Sequence, residues 1–150
     1  MKIAAIDIGT NAVRAKIFET SPVAIEFVEG FRSPLRLGTQ VFREGRLSKS
    51  KLHSLISTLL KYKATFEEKG VTQYEIIATS ALRDTANAES SRRQIETAMN
   101  HPLRIISGLE EANLIGFHPR SYTGNKNFFV DIGGVSTEFF FKYDQETFAR

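Results

Sequence analysis

The sequence contains no cysteine and only four prolines. Without cysteine the chain forms no disulfide and offers no thiolate to a metal, which is compatible with a reducing compartment. No apolar run reaches the roughly 18 residues that a membrane-spanning helix needs. Asp7 interrupts what would be the apolar core of a signal peptide. These absences predict a cytoplasmic protein without a membrane partner.

The charges are nearly balanced, with 20 basic and 17 acidic side chains and a formal net charge of +3. This excess is compatible with an anionic partner. The chain has no dense tract of Lys and Arg with interleaved aromatic residues, so we expect no nucleic-acid partner. With 41% hydrophobic and 25% charged residues, a chain of 150 residues is able to bury a core. The length predicts one domain, or the better part of two small ones.

Residues 3–18 have the pattern of two short strands joined by a tight polar turn. Gly9 lets the backbone turn and approach an anion closely, while Thr10 and Asn11 supply hydroxyl and amide donors. Asp7, at the end of a buried strand, is costly to bury unless it is paired, hydrogen-bonded or near a metal. A plain hairpin in which Asp7 caps the turn explains the same residues without a ligand.

Residues 128–141 repeat this pattern, with an apolar run, Asp-Ile-Gly, a small polar turn and a second apolar run. Asp131 follows Asp7 by 124 residues, which is too far for a solenoid repeat and suits a duplicated domain. One such hairpin is weak evidence for phosphate binding, but two are stronger evidence. We therefore expect Asp7 and Asp131 to flank one cleft.

Between the hairpins, the hydrophobic pattern predicts helices that alternate with strands, so that the order βββαβαβα precedes the second hairpin. The predicted elements are a strand at 23–31, a loop at 32–46, a helix from the cap Ser48 to Gly70, a strand at 74–79, a helix at 88–100, a strand at 103–106, a helix after Ser107 and a linker at 121–127. This order predicts an α/β fold.

Two stretches have both a functional and a structural explanation. Arg36 lies in a loop that contains glycine and proline, where it binds an anion or is simply solvated. Ser80 and Arg83 follow a buried strand, at the position where α/β folds usually place ligands. Alternatively, Ser80 caps a helix and Arg83 pairs with Asp84 or another acid.

A pair of adjacent acids begins the last predicted helix. Ser107 and Glu110 match a capping box, in which each side chain satisfies a free backbone N–H, so Glu110 has a structural explanation. Glu111 has none. It lies in the first turn of a helix directly after a buried strand, within reach of the crevice that such junctions form.

Five segments of the chain resemble the exopolyphosphatase and guanosine pentaphosphate phosphohydrolase (Ppx/GppA) family, within the superfamily of sugar kinases, heat-shock proteins and actin. The segments are AAIDIGTNAVR at 4–14, LRLG at 35–38, ATSALRDTAN at 78–87, ISGLEEANLI at 106–115 and VDIGGVSTE at 130–138. They occur in family order and at nearly family spacing. The resemblance implies a ribonuclease H-like, actin-like ATPase domain with a mixed sheet, whose partner domain closes a cleft over a phosphate chain.

The resemblance also implies a role for each candidate residue. Glu111 corresponds to the catalytic base, which accepts a proton from water as that water attacks the terminal phosphorus. Asp131, Asp7 and Glu138 would hold Mg²⁺, which offsets the charge on the transferring phosphoryl group. The phosphate chain would be bound by backbone N–H groups, hydroxyls and guanidinium groups of Gly9, Thr10, Asn11, Arg36, Arg83, Gly133, Gly134 and Ser136.

Three positions depart from the family pattern. Where the family usually has three glycines, the third position of this chain is Val135, and a β-branched residue resists positive φ. If the turn needs positive φ there, the loop must be reshaped or strained. Ala12 replaces a frequent Ser, and Asn113 replaces a common Arg. We expect each change to weaken anion binding without affecting Glu111.

The family core has about twice this length, because two domains of roughly 100 to 200 residues form the cleft. We expect residues 1–122 to form the first actin-like subdomain and residues 123–150 to begin a second one, in a fragment or a truncated gene product. The second hairpin would then expose an apolar edge at Phe139, Phe140 and Phe141. Pairing of that edge between copies predicts a homodimer.

Three functions follow from these residues. The first is Mg²⁺-dependent hydrolysis of the terminal phosphate of inorganic polyphosphate or guanosine pentaphosphate. The second is an ATP-dependent small-molecule kinase of the same superfamily, which the lack of a dedicated Asp base and the ISGLEEA segment disfavour. The third is a non-catalytic sensor that binds polyphosphate or a phosphorylated nucleotide, motivated by Val135 and the incomplete second domain.

Overall fold

The computed structural model describes residues 1–118, 126–143 and 146–150. The chain forms two compact units, Met1–Ile105 (unit 1) and Ile106–Arg150 (unit 2). The predicted subdomain boundary at residues 122 and 123 lies outside the described residues, as does most of the predicted linker, so both stay predictions. Within the described ranges, no helix combines the length and the apolar composition that crossing a membrane requires.

Unit 1 is built on a five-stranded mixed sheet with the strand order β3-β2-β1-β4-β5. Strands β1 to β3 form an antiparallel meander, whereas β4 is parallel to β1 and β5 is parallel to β4. The strands are β1 (Lys2–Ile8), β2 (Val13–Thr20), β3 (Ile25–Ser33), β4 (Val71–Ala78) and β5 (Arg104–Ile105). The predicted actin-like α/β fold with a mixed sheet is confirmed.

The core of unit 1 lies between one face of this sheet and the long helix α2 (Lys49–Glu68). Alternate residues of a strand share a face, so Ile6 and Ile8 of β1 point into the core and are 1% and 0% exposed. Ser48 caps α2 as predicted, because its Oγ accepts a hydrogen bond from the backbone N–H of Lys51 at 3.2 Å. The apolar face of α2 thereby positions the central strands.

A helix replaces the loop that the sequence predicts at residues 32–46, because Leu37–Glu44 form α1. Local signals disfavour this helix: Gly38 lies inside it, and its N-cap residue, Arg36, has left-handed φ and ψ without a side-chain capping bond. The helix is stabilised by burial of Leu37 and Val41, one turn apart, which are 0% and 1% exposed. Tertiary packing therefore overrides local propensity here.

Two helices follow β4 in unit 1, α3 (Ser80–Arg83) and α4 (Ala88–Met99). The sequence predicts α4, whose Ile95 and Met99 are fully buried against the core. The sequence does not predict α3 as a separate element, because four residues are too few for a hydrophobic repeat to be visible.

Unit 2 combines one helix with a three-stranded antiparallel sheet of order β6-β7-β8. Its elements are α5 (Gly108–Ile115), β6 (Lys126–Ile132), β7 (Thr137–Tyr143) and β8 (Glu146–Ala149). The predicted capping box begins α5: Ser107 Oγ accepts the Glu110 N–H at 3.1 Å, and Glu110 Oε2 accepts the Ser107 N–H at 2.7 Å. The predicted second hairpin is β6 and β7, and β8 extends it.

The predicted apolar edge at Phe139, Phe140 and Phe141 is wrong in two respects. Strand β8 pairs with β7, so β7 is not an edge. Phe140 is only 5% exposed, and a Cβ on Gly116 would lie 2.8 Å from the Phe140 ring, so this ring packs against the end of α5. Only Phe139 and Phe141 lie on the solvent side.

The solvent side of this sheet, called the open face, is an apolar surface of unit 2. The strand register places its members opposite one another, as in the pairs Phe128 with Phe141 and Phe141 with Phe148. Seven large side chains, each 37% to 77% exposed, form the open face: Phe128, Val130, Ile132, Phe139, Phe141, Tyr143 and Phe148.

Candidate functional site

The first loop, residues 9–12, leaves the carboxyl end of β1 beside the start of α3. Strands β1 and β4 are parallel neighbours that end together, and the Thr79 N–H donates to the Ile8 carbonyl at 3.3 Å. The loop itself is closed by a hydrogen bond from the Gly9 N–H to the Ala12 carbonyl at 3.1 Å. Two segments thus leave one edge of the sheet, where α/β folds commonly bind ligands.

Thr10 is held in this loop by contacts on two sides. Its Oγ1 lies 2.8 Å from the Oγ of Ser80, and the two residues are only 8% and 2% exposed. Its carbonyl accepts the Gly38 N–H at 3.0 Å. A Cβ on Gly38 would lie 2.1 Å from Thr10 Cγ2, so the position next to Thr10 admits no side chain. Thr10 therefore touches α1 on one side and α3 on the other.

Arg36 is joined to the first loop through its backbone. Its N–H donates to the Asn11 carbonyl at 2.9 Å, and its φ of 51° lies in the left-handed region that non-glycine residues rarely adopt. The side chain is exposed. The structure thus brings Thr10, Asn11 and Arg36 together and leaves the guanidinium open to an anion or to water, the two alternatives that the sequence allows.

Residues 85–87, in the second half of the ATSALRDTAN segment, form hydrogen bonds with the residues that directly follow the C-terminal end of α1. The Leu47 N–H donates to Thr85 Oγ1 and Asn87 Oδ1, both at 2.9 Å, and Asn87 Nδ2 donates to the Leu47 carbonyl at 2.9 Å. The Ala86 N–H donates to the Gly45 carbonyl at 2.8 Å. This segment therefore has a structural role at its end, in addition to its contact with the first loop at its start.

The structure tests the two structural explanations that the sequence offers for this segment, a helix cap by Ser80 and an ion pair of Arg83 with Asp84. Ser80 does not cap α3, because Thr79 is the N-cap residue and makes no side-chain capping bond. Arg83 does pair with Asp84, with 3.3 Å between Nε and Oδ1, and its side chain is 24% exposed. This ion pair is compatible with a second anionic partner, since a guanidinium carries five N–H donors.

The second loop, residues 133–136, has the same closing bond as the first. The Gly133 N–H donates to the Ser136 carbonyl at 2.9 Å, in the positions that correspond to Gly9 and Ala12. Val135 is 52% exposed and is not among the non-glycine residues with positive φ, which in the described part of the chain are Arg36 and Asn100. The loop accommodates Val135 without the left-handed backbone that a β-branched residue resists.

The two hairpins differ in the residue that faces the aspartate across the strands. In the first, Asp7 is opposite Arg14, and Arg14 Nη1 lies 3.4 Å from Asp7 Oδ2 with both side chains about half exposed. In the second, Asp131 is opposite Glu138. Glu138 is 4% exposed, and among the described residues neither acid of this pair has a cationic partner.

A divalent cation fits the second pair better than the first. Within the described ranges, no cluster of three or more His, Asp or Glu side chains is arranged to hold a metal. Mg²⁺ is usually bound through one or two carboxylates, with waters and substrate phosphates completing its shell. Asp131 and Glu138, which are opposite each other in the strand register, would supply that donor set. Asp7 already pairs with Arg14.

Glu111 is a first-turn residue of α5 and is half-buried. Its N–H donates to the Ser107 carbonyl at 2.9 Å, the first hydrogen bond of the helix. The capping box engages its neighbour Glu110 and leaves the Glu111 carboxylate outside the cap. The structure therefore confirms the predicted capping role of Glu110, in which Glu111 takes no part.

The predicted site residues divide between the two units. Unit 1 contains Asp7, Gly9, Thr10, Asn11, Arg36 and Arg83, and unit 2 contains Glu111, Asp131, Gly133, Gly134, Ser136 and Glu138. Gly38 is not predicted as a site residue, and the sequence leaves Ser80 open between a ligand position and a helix cap; both residues touch Thr10. The parallel pairing of β1 with β4 is the signal that identifies Ser80, because it brings the ends of both strands to one place.

Comparisons with known proteins identify the family and the fold of the chain. The sequence model of the Ppx/GppA phosphatase family matches residues 16–149. Among solved structures, the chain is similar to the Ppx/GppA family member of Aquifex aeolicus, with 27% identity, a TM-score of 0.83, and coverage of 100% of this chain and 51% of that chain.

Two other solved structures are similar over the same extent. An exopolyphosphatase-like protein has 27% identity and a TM-score of 0.84, with coverage of 99% of this chain and 49% of that one. An exopolyphosphatase from Cytophaga hutchinsonii has 23% identity, so the likeness is one of fold, with a TM-score of 0.89 and coverage of 100% and 49%. The chain spans about half the length of these proteins.

Proposed function

Because the chain belongs to the Ppx/GppA phosphatase family, we propose that it takes part in hydrolysing the terminal phosphate of inorganic polyphosphate or guanosine pentaphosphate. The observation that supports this proposal is the pair of loops with the same closing hydrogen bond, Gly9 to Ala12 and Gly133 to Ser136. Each loop presents backbone N–H groups and a hydroxyl, which are donors suited to phosphate oxygens. Two loops suit a ligand with several phosphates.

In this proposal, both loops and two arginines bind the phosphate chain. The donors are the N–H groups of both loops, the Thr10 and Ser136 hydroxyls, and the guanidinium groups of Arg36 and Arg83. Asp131 and Glu138 would hold Mg²⁺, with Asp7 as a further predicted ligand. When bound, Mg²⁺ offsets the negative charge of the transferring phosphoryl group.

Glu111 is the proposed general base. Its carboxylate accepts a proton from a water molecule while the water oxygen forms a bond to the terminal phosphorus. The bond from that phosphorus to the bridging oxygen breaks in line, and the electron pair leaves on the shortened chain. The products are inorganic phosphate and a chain that is shorter by one phosphate.

The test compares two adjacent acids in a phosphate-release assay with inorganic polyphosphate and guanosine pentaphosphate as separate substrates. Glu111→Gln should reduce turnover about 100-fold or more, because a general base contributes about 10²- to 10⁴-fold. Glu110→Gln is the matched control, since glutamine still completes a capping box. Undiminished release by Glu111→Gln refutes the role of Glu111, and no release by the unmodified chain refutes catalysis by these 150 residues.

A sensor without turnover is the second candidate, and Val135 is the observation that favours it. This exposed apolar side chain occupies the loop position that corresponds to Asn11. Calorimetry that shows binding of polyphosphate together with an absence of phosphate release would favour the sensor over the enzyme. The choice of substrate, the cytoplasmic location and the absence of a nucleic-acid partner stay predictions.

We also propose that the chain pairs with a second copy through the open face. At about 200 Å² for each large side chain, the exposed fractions amount to roughly 700 Å², close to the ~800 Å² per partner of a standard interface. An apolar patch of this size is unusual on a monomer.

Sedimentation equilibrium measures this association. Ile132→Glu, at the most exposed open-face position, should convert a dimer into a monomer, because the interface would bury an unpaired charge. Val23→Glu, at an exposed turn position of unit 1, is the control and should leave the dimer intact. A monodisperse monomer of the unmodified chain at high concentration contradicts the proposal.

A further inference from the structure

The hydroxyl pair of Thr10 and Ser80 is a buried polar contact that lies at the first loop. Their oxygens are 2.8 Å apart, and the residues are 8% and 2% exposed. Since Thr79 is the N-cap residue of α3, the Ser80 hydroxyl is not used in capping. Among the described residues, Thr10 is the one hydrogen-bond partner of this hydroxyl.

The orientation of the Thr10 side chain is fixed from the opposite side as well. Its methyl group faces Gly38 so closely that a Cβ there would lie 2.1 Å from Cγ2. Its carbonyl is held by the Gly38 N–H at 3.0 Å. A threonine is stiff at χ1 because two heavy atoms branch from its Cβ. With the methyl against Gly38, the hydroxyl is directed at Ser80.

Counting protons shows what this pair is able to do. Two hydroxyl groups carry two protons, and the bond between them uses one, so one proton is left for an outside acceptor. Thr10 is the more exposed of the two residues and belongs to the first loop itself, so its hydroxyl is the one that we assign to an outside acceptor. Ser80 then donates to Thr10, and a chain of hydrogen bonds strengthens the outer donor by polarisation.

We propose that Ser80 is a positioning residue, which donates to Thr10 and so aims the Thr10 O–H at an anionic oxygen of a phosphate bound at the first loop. This inference rests on the proposed phosphate-binding function of that loop. It assigns a ligand-orienting role to a residue that touches no ligand itself. The partner chemistry is that of a phosphate oxygen, which accepts a hydrogen bond and has no proton to give.

The experiment is calorimetry of inorganic tripolyphosphate binding to the 150-residue chain. Ser80→Ala should weaken affinity about 3- to 10-fold, in line with the loss of one hydrogen bond. Thr10→Val keeps the branched shape against Gly38 and removes the hydroxyl, and it should weaken affinity by a similar factor. In the Thr10→Val background, Ser80→Ala should have no further effect, because the hydroxyl that it orients is gone.

Ser91→Ala is the matched control. Ser91 is fully buried on α4, and its hydroxyl has no hydrogen-bond partner, so its removal should leave tripolyphosphate affinity unchanged. Ser80→Cys is a second variant that keeps the shape of the side chain with a much weaker donor, and it tests the idea if Ser80→Ala lowers the melting temperature too far. Its affinity should fall between those of the unmodified chain and Ser80→Ala.

The possible results separate the two proposals. If the unmodified chain does not bind tripolyphosphate, the proposed phosphate-binding function fails, and this inference fails with it. If the unmodified chain binds and the folded Ser80 variants bind equally well, only the role of Ser80 is refuted. Equal losses from Ser80→Ala in both backgrounds also refute it, since a merely structural effect is additive with the loss of the Thr10 hydroxyl.

Discussion

The two loops share a backbone design and differ in their surroundings. Each is closed by the same hydrogen bond between its first and fourth residues. The first loop contacts α1 and α3 through Gly38 and Ser80, and the aspartate before it pairs with an arginine. The second follows an aspartate that faces a buried glutamate. A repeated backbone thus lies in two different surroundings, with an arginine beside the first aspartate and a glutamate opposite the second.

The largest expected difference concerns the two aspartates. Asp131→Asn should weaken Mg²⁺ binding about 100-fold, since losing even an outer partner of a metal ligand costs roughly 10- to 100-fold. Asp7→Asn, at the corresponding position, should weaken it only a few-fold, because Arg14 already pairs with Asp7. Calorimetry with Mg²⁺ measures both constants. Equal losses in the two variants would contradict the division of roles between the hairpins.

The close contact between Gly38 and the first loop predicts that alanine at Gly38 destabilises the fold more than alanine at Gly133 does. Gly38→Ala should lower the free energy of unfolding by about 2 to 3 kcal/mol, as overpacking does, because its Cβ meets Thr10 Cγ2 at 2.1 Å. Gly133→Ala, whose Cβ lies 3.2 Å from Ser136 atoms, should cost only about 1 kcal/mol. Gly108→Ala has open space around its Cβ and serves as the control in urea unfolding. A larger loss of unfolding free energy for Gly133→Ala than for Gly38→Ala would contradict this prediction.

Exchanging one loop residue tests how far the donors of the two loops are equivalent. Val135→Asn gives the second loop the residue of the first, and it should raise tripolyphosphate affinity about threefold by adding one amide donor. Val23→Asn introduces the same change at a turn that is 93% exposed, and it should have no effect. Calorimetry that shows unchanged or weaker binding for Val135→Asn would mean that the second loop makes no donor contact at this position.

The smallest effect concerns the pH dependence of unit 1. Hydrogen bonds from Arg92 and Arg93 lower the pKa of Glu89 to about 2. A carboxyl whose pKa is lowered on folding stabilises the folded state above its unfolded pKa, and this contribution is lost as the pH falls through the folded pKa. The melting temperatures of the unmodified chain and Glu89→Gln should therefore differ slightly at pH 6 and converge near pH 2. A constant difference would exclude this ion pair as its cause.

The sequence predicts the elements whose signals are local. The hydrophobic repeat predicts α2, and the Ser107 and Glu110 pair predicts the start of α5, because capping is decided within one turn. The predicted loop at 32–46 is wrong because α1 depends on burial of Leu37 and Val41, which is a property of the whole fold. Packing of this kind cannot be inferred from the residues of the helix alone.

The sequence predicts which residues belong to the site better than it predicts which residues contact one another there. Asp7 and Asp131 are visible as equivalent positions in the sequence, but the strand register is needed to show that Arg14 lies opposite the first and Glu138 opposite the second. The contact of Thr10 with Ser80 spans 70 residues, and it depends on the parallel pairing of β1 with β4. Long-range partners of this kind are set by topology, which a single sequence specifies only indirectly.

The hydrogen bonds around α1 form a closed ring in unit 1. Thr10 is joined to Gly38 at the start of α1, the end of α1 is fastened to Thr85 and Asn87 through Leu47, and Ser80 leads back to Thr10. Because these hydrogen bonds hold both ends of α1, a movement of the first loop should also move α1 and the segment from Ser80 to Asn87. We therefore expect ligand binding at the first loop to slow hydrogen exchange of the Gly38 and Leu47 amides together.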